Sequence, residues 1–169
     1  MNRLFVVILM VVSLVFGIVG CGESNDGQPK LIEDPKVIDN PEVVEESKQV
    51  GEFEVTIQVK KDKQLAVMAT VTYVGDKNEI DIYHGGSIFF FNIYQKDGDF
   101  EYIGAMNQPL ITTTLIRNEP HTVAYTGPEL ERLKPGTYEF EAVANFATNI
   151  ENIIDSNFNV PVSTIVKID

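Results

Sequence analysis

Four stretches of this chain alternate apolar and polar side chains with a period of two, and that pattern commits most of it to sheets. Phe53, Val55, Ile57 and Val59 alternate with Glu52, Glu54, Thr56 and Gln58. Leu65, Val67, Ala69, Val71 and Tyr73 share one face of residues 64–74. Tyr138, Phe140, Ala142, Ala144 and Phe146 share one face of a long strand, and Val160, Val162, Thr164, Val166 and Ile168 close the chain in the same rhythm. Neighbouring side chains of a strand point to opposite faces, so each stretch reads as a half-buried strand. Pro161 has no N–H to give a ladder, which puts the last strand at an edge.

Residues 80–83 form a short apolar run stopped by His84-Gly85-Gly86. Residues 87–95 hold Ile88, Phe89, Phe90, Phe91, Ile93 and Tyr94, apolar on both sides, as in a strand at a sheet centre covered on each face. Phe89-Phe90-Phe91 is accordingly read as a buried strand and not as a binding face. Lys96-Asp97-Gly98-Asp99 is a hairpin signal, because Asp-Gly supplies positive φ at little cost, and 100–105 is its return strand. Residues 112–116 and 121–126 are further strands. Pro128 suits the first position of a helical turn over 127–132. The asparagine-rich 148–157 is a loop with room for one helical turn, since Ile150, Ile153 and Ile154 recur at helix-like spacing. Seven or eight short antiparallel strands with almost no helix define an all-β chain, a β-sandwich. Leu133-Lys134-Pro135-Gly136-Thr137-Tyr138 resembles the E–F corner of immunoglobulin-like domains, where a tyrosine hydroxyl bonds back to the backbone. The chain has no tryptophan and one cysteine, so an antibody-type inter-sheet disulfide is excluded.

That cysteine closes a different pattern. Arg3 is followed by a run from Leu4 to Val19 that is apolar apart from Ser13 and Gly17. The run is short for a membrane span, which takes about 20 apolar residues, and fits a signal-peptide core. It ends in Ile18-Val19-Gly20-Cys21, which resembles a bacterial lipobox. The resemblance implies lipidation of the Cys21 thiol and cleavage between Gly20 and Cys21. An ordinary secretory signal fits less well, because Ile18 and Gly20 replace an A-x-A pattern; an uncleaved anchor is the third reading. The expected organisation is a lipoprotein signal peptide over 1–20, lipidated Cys21 with a flexible, disordered acidic tether over 21–50, and a β-sandwich over 51–169. The expected location is the extracytoplasmic face of the cell membrane of a Gram-positive-type cell, held by the lipid anchor.

Formal charge is −12 over the whole chain. Residues 21–50 hold eight acids against three lysines and residues 51–169 carry −8. Such a balance argues against nucleic acid or anionic lipid as a partner, since both call for a basic patch. The tether has no aromatic residue and three prolines, Pro29, Pro35 and Pro41. It lacks the apolar surface to offset its chain entropy.

Catalytic chemistry has few carriers. His84 and His121 are the two histidines, neither in a metal-type pair, and the one cysteine is the lipidation site. Both histidines read as turn or strand-start residues first and as ligands second. Asp97, Asp99 and Glu101 alternate across the hairpin without the twelve-residue loop of a calcium site, so a turn is the preferred reading. No glycine-rich loop joins a strand to a helix, so nucleotide binding has no support. A carboxylate pair for hydrolysis is open to any acidic domain. No cofactor or metal is expected.

Val71-Thr72-Tyr73-Val74, the Ile88–Tyr94 strand, the 96–99 hairpin and the Leu133-x-Pro135-Gly136-x-Tyr138 return together resemble the bacillary intracellular proteinase inhibitor family. The resemblance spans roughly 53–146 and implies an immunoglobulin-like fold and an inhibitory role. The signal, the tether and the missing tryptophan depart from it. The function expected is a monomeric, non-enzymatic, membrane-tethered binding domain for a cell-envelope protein. A surface proteinase inhibitor binding a protease is the alternative, and a hydrolase using acidic residues the second alternative. Binding loops at one end of the sandwich are expected to include His84, Gly85, Gly86 and Ser87, together with Glu129, Arg132 and Lys134 from the 127–136 loop.

Overall fold

The computed structural model describes residues 42–105 and 109–169. Among them lie ten strands and two short 3-10 turns. One sheet contains β1 (Glu42–Val50), β2 (Phe53–Lys61), β3 (Leu65–Tyr73) and β8 (Pro120–Tyr125), in the order β1-β2-β3-β8. The other has the order β6-β5-β9-β4-β7, from β4 (Glu79–His84), β5 (Phe89–Gln95), β6 (Glu101–Ile103), β7 (Ile111–Ile116) and β9 (Gly136–Ala147). The last strand, β10 (Asn157–Ile168), pairs β9 along its whole length. The expected all-β sandwich is present, with ten strands instead of seven or eight. Setting β2-β3-β8 against β6-β5-β9-β10 reproduces the A-B-E and C′-C-F-G order of immunoglobulin-like sandwiches. β4 and β7 pair with each other and touch β9 at its last residue, through Tyr83 and Ala147.

The period-two stretches face each other as the alternation requires. Phe53, Val55, Ile57 and Val59 of β2 and Val67, Ala69, Val71 and Tyr73 of β3 meet Tyr138, Phe140, Ala142, Ala144 and Phe146 of β9 and Val160, Val162 and Val166 of β10, all buried. Pro161 sits on β10, which pairs only β9 among the described residues, so the edge assignment holds. The β5 expectation needs correction. Phe89, Phe91 and Ile93 face the core, but among the described residues no layer covers the other side, where Phe90 and Tyr94 are half-buried beside Val143 and Glu139. Asn92 shares that outer side, and its amide is satisfied by Glu141 at 2.7 Å and the Gly104 N–H at 3.1 Å.

The tether boundary is also corrected. Residues 42–50 are not free tether: they form β1, which matches β2 pair for pair from Glu42–Lys61 to Val50–Phe53. The sequence conceals this because β1 buries almost nothing. Its ladder and surface pairs hold it, among them Ser47–Thr56 at 2.7 Å and Gln58–Glu45 at 2.8 Å. Gly51 makes the two-residue turn, with φ +59 at the first central position that a type II′ hairpin reserves for glycine. The 96–99 hairpin forms, closed by the Gln95 N–H on the Phe100 carbonyl at 2.8 Å. Gly98 is not left-handed there; a Cβ on it would lie 2.5 Å from Gln95 Cδ, so the glycine supplies space and not positive φ. Gly20 and Cys21 lie outside the described residues, as does everything before Glu42.

The tyrosine corner is realised. The Tyr138 hydroxyl donates to the Lys134 carbonyl at 3.0 Å and accepts from the Lys134 N–H at 3.2 Å. Tyr73 repeats the device, accepting from the Lys77 N–H at 3.2 Å.

Register defines two ends. At one, Lys61 reaches both Glu42, where β1 begins, and Asp169, at 3.0 and 3.4 Å. At the other, Phe53 packs its ring 4.9 Å from those of Phe146 and Phe158.

Candidate functional site

The two loops expected to act together lie at opposite ends. Tyr83, next to His84, pairs with Ala147, and Ala147 pairs with Asn157, so the 84–87 loop lies at the Phe53 end. Gly136 pairs with Ile168 and Tyr125 with Val67, which puts the 127–136 loop at the Lys61 end. Grouping His84, Gly85, Gly86 and Ser87 with Glu129, Arg132 and Lys134 in one site is therefore corrected. Arg132 and Lys134 are exposed, while Glu129 is tied to Tyr125, whose hydroxyl donates to it at 2.6 Å. That bond holds the Glu129 carboxyl below the usual range; burial, then the same bond, pushes the Tyr125 phenol up. The pair thus stays phenol and carboxylate.

His84 is turned inward, 9% exposed. Its Nδ1 donates to the Gly85 carbonyl at 2.8 Å, and its Nε2 accepts from the Thr113 hydroxyl at 2.8 Å; the carbonyl can only accept, which fixes the tautomer. Both ring nitrogens are used within the fold, so His84 shapes the loop from beneath. Burial lowers its pKa, His121 lowers it further, and backbone groups of Gly85 and Ser87 oppose them. A histidine depressed in the folded state contributes stability that is fully present above its unfolded value of about 6.5 and fades as pH falls below it. The denaturant midpoint should therefore drop from pH 7 toward pH 5, and His84→Gln should flatten that segment of the profile. An unchanged slope in the variant would show that other groups govern this range.

The Phe53 end also carries apolar side chains that the sequence reading assigned to no site. The 3-10 turn Ile150–Asn152 and the residues after it leave Ile154 89% exposed, with Ile150 and Ile153 exposed beside it and Leu110 exposed across a cavity of about 230 Å³. Tyr83, Phe90, Pro109 and Asn145 line that cavity. The loop is tightly cross-bonded. Asn149 Oδ1 caps the Glu151 N–H at 2.9 Å, Ser156 Oγ receives the Asn149 N–H at 3.1 Å, and Asn152 binds the Asp155 carboxylate at 2.9 Å. The asparagines are there to fold the loop back on itself. Three isoleucines in a polar stretch are the available signal in the sequence.

A second recess runs along the free side of β8. A groove of about 340 Å³ lies on the inter-sheet side, lined by Phe89, Phe91, Tyr102, Val123 and Tyr125. Another of about 520 Å³ includes Ala66, Met68, Ala124 and Leu130. Tyr125 stacks on Phe91 at 5.2 Å and lies 5.7 Å from Tyr102. Ser87 and Gly127 line the first groove from its two ends, so this is where the structure brings the two predicted loops onto one surface.

Glu79 and Asp81 share a cavity of about 290 Å³. Both are exposed, and Asp81 accepts from Thr114 at 2.6 Å. Neither is pressed against an apolar wall as a general acid must be. Among the described residues no group of three or more His, Cys, Asp or Glu could hold a metal, and no helix is long and apolar enough to cross a membrane. No protein-family model matches the chain, and no curated protein matches it in sequence.

Proposed function

We propose that this chain is a lipid-anchored, non-enzymatic binding protein of the extracytoplasmic membrane face, with Cys21 carrying the anchor and the β-sandwich engaging a cell-envelope protein. One observation carries the reading: the chain enters the domain at Glu42, while the exposed isoleucine loop stands at the opposite end of β1. Nine residues of strand separate them by about 30 Å. Exposed apolar clusters of this kind mark interaction surfaces.

The anchor is tested by fractionation and mass spectrometry. The mature protein should be found with membranes, beginning at a diacylated Cys21, and Cys21→Ser should release it. Two acyl chains hold stably, at about 0.8 kcal/mol per buried CH₂, where one does not. A mature N-terminus at another residue would sink the anchor.

Surface proteinase inhibition is the second reading, favoured by the cross-bonded loop that projects Ile154. Ile153 has helical backbone, φ −60 and ψ −38, so inhibition would not proceed by presenting an extended, substrate-like strand there. Residual activity of serine proteases titrated with the protein decides it: saturable inhibition with the chain intact supports the reading, and plain cleavage removes it.

A further inference from the structure

The free edge of β8 combines three features that point to one kind of ligand. First, β8 pairs only β3 among the described residues, at the end of its sheet. In a constant-type immunoglobulin sheet strand D lies beside E; here β7, next in line for that place, pairs β4 instead. Second, the edge is lightly guarded, with its one proline, Pro120, at the first residue of the strand. Pro120-His121-Thr122-Val123-Ala124-Tyr125 contains no lysine or carboxylate. The longer edges are guarded, β1 by Glu45, Glu46 and Lys48 and β10 by Pro161 and Lys167. Charges and prolines are how native edges avoid adding a strand. Third, the grooves of about 340 and 520 Å³ share residues 124–127. Only one takes in the Phe91–Tyr102 wall between the sheets; the other takes in Ala66 and Met68 of β3.

We propose that β8 is a strand-addition site for an extended polypeptide segment of a partner protein, with apolar side chains at alternate positions. Backbone chemistry selects the class. A row of N–H and C=O groups along an edge is matched by another extended main chain, and by no lipid or sugar with the same repeat. Side chains of an added strand alternate between faces, so those at i and i+2 enter the aromatic Phe91–Tyr102–Tyr125 groove and the one between them lies over the shallower Ala66–Met68–Ala124 side. The aromatic floor is braced from below. Gly104 lets the chain pass where a Cβ would lie 2.5 Å from the Phe91 carbonyl oxygen, and the Tyr125–Glu129 bond fixes the ring that closes the lower end. The site does not depend on the lipid anchor.

The test uses the mature chain in detergent and a phage-displayed library of random peptides of about ten residues. Selected peptides should carry apolar residues at i and i+2 and slow hydrogen exchange within Pro120–Tyr125. Ala124→Lys puts a charge on an exposed position of the edge, where folding is spared, and should weaken them about tenfold or more. Ile154→Asp, at the other end, should leave their affinity unchanged. Four outcomes overturn the proposal: no enrichment; peptides indifferent to Ala124→Lys; protection confined to the 148–156 loop; or a dimer of the chain that Ala124→Lys abolishes, which would make a second copy the occupant.

Discussion

Phe53→Ala is expected to remove about 3–5 kcal/mol of unfolding free energy, the usual cost of emptying a phenylalanine site in a core. The site is closed on every side. Phe53 is 1% exposed, and its ring lies 5.6 Å from Tyr73 and 4.9 Å from both Phe146 and Phe158. Those partners come from β3, β9 and β10, so one ring joins both sheets at the end that carries the 84–87 and 148–156 loops. The four rings interlock, with Phe146 and Phe158 stacked at 5.3 Å, and an alanine gives them nothing to collapse onto. Against a typical total of about 5–15 kcal/mol, the loss is a large share of what holds the domain. Urea denaturation reads it: the midpoint falls while the slope stays, because the surface exposed on unfolding hardly changes. Ile165→Ala, on the outer face of β10, is the contrast and should stay within about 0.5 kcal/mol. A loss below about 1 kcal/mol for Phe53→Ala would mean that the sheets are joined elsewhere.

What the sequence discloses about this fold follows from what each element buries. β2, β3, β9 and β10 each hide one face, so alternation exposes them. Tyr138 hides a hydroxyl that must find a partner, and Pro135-Gly136 shows where the backbone turns to supply it. The site is a harder case. His84 before two glycines looks like part of a presented loop, yet burial draws its ring inward to Gly85 and Thr113. Glu129 looks like a free loop charge, but Tyr125 claims it. Thr113 lies 29 residues from His84, beyond any local pattern, and although Gly85 and Tyr125 are close in sequence, only the packing turns the imidazole and the phenol toward their partners. The β8 edge is less visible still, because whether a strand has a neighbour depends on where a different strand, β7, has gone. Ile150, Ile153 and Ile154 illustrate the opposite difficulty: their spacing suits one helical turn and says nothing of which way they point, and in the fold all three are exposed.

β1 tests that lesson most directly, because burial predicts tether there and pairing predicts fold. A chain beginning at Gly51 should be less stable than one beginning at Glu42, and it should associate at concentrations where the longer chain stays monomeric. The ladder bonds of β1 contribute about 0.5–1.5 kcal/mol each, but ordering a residue costs about 1–2 kcal/mol, so the two come close to cancelling. The remainder is the packing of Val44 and Val50 on the core, the contact of Lys61 with Glu42, and the cover that β1 gives β2. Cover is the larger matter. Removing β1 leaves nine residues of β2 as a new edge, whose charges are Glu54 near one end and Lys60 and Lys61 at the other. Thr56, Gln58 and the core residues between them would then sit on an unguarded stretch of the kind that recruits another chain. Sedimentation over a concentration series, with urea midpoints for the two chains, reads both effects. A lower midpoint and concentration-dependent association in the shorter chain make Glu42 the functional start of the domain. Equal midpoints and two monomers would return residues 42–50 to the tether and set the start of the domain at Gly51.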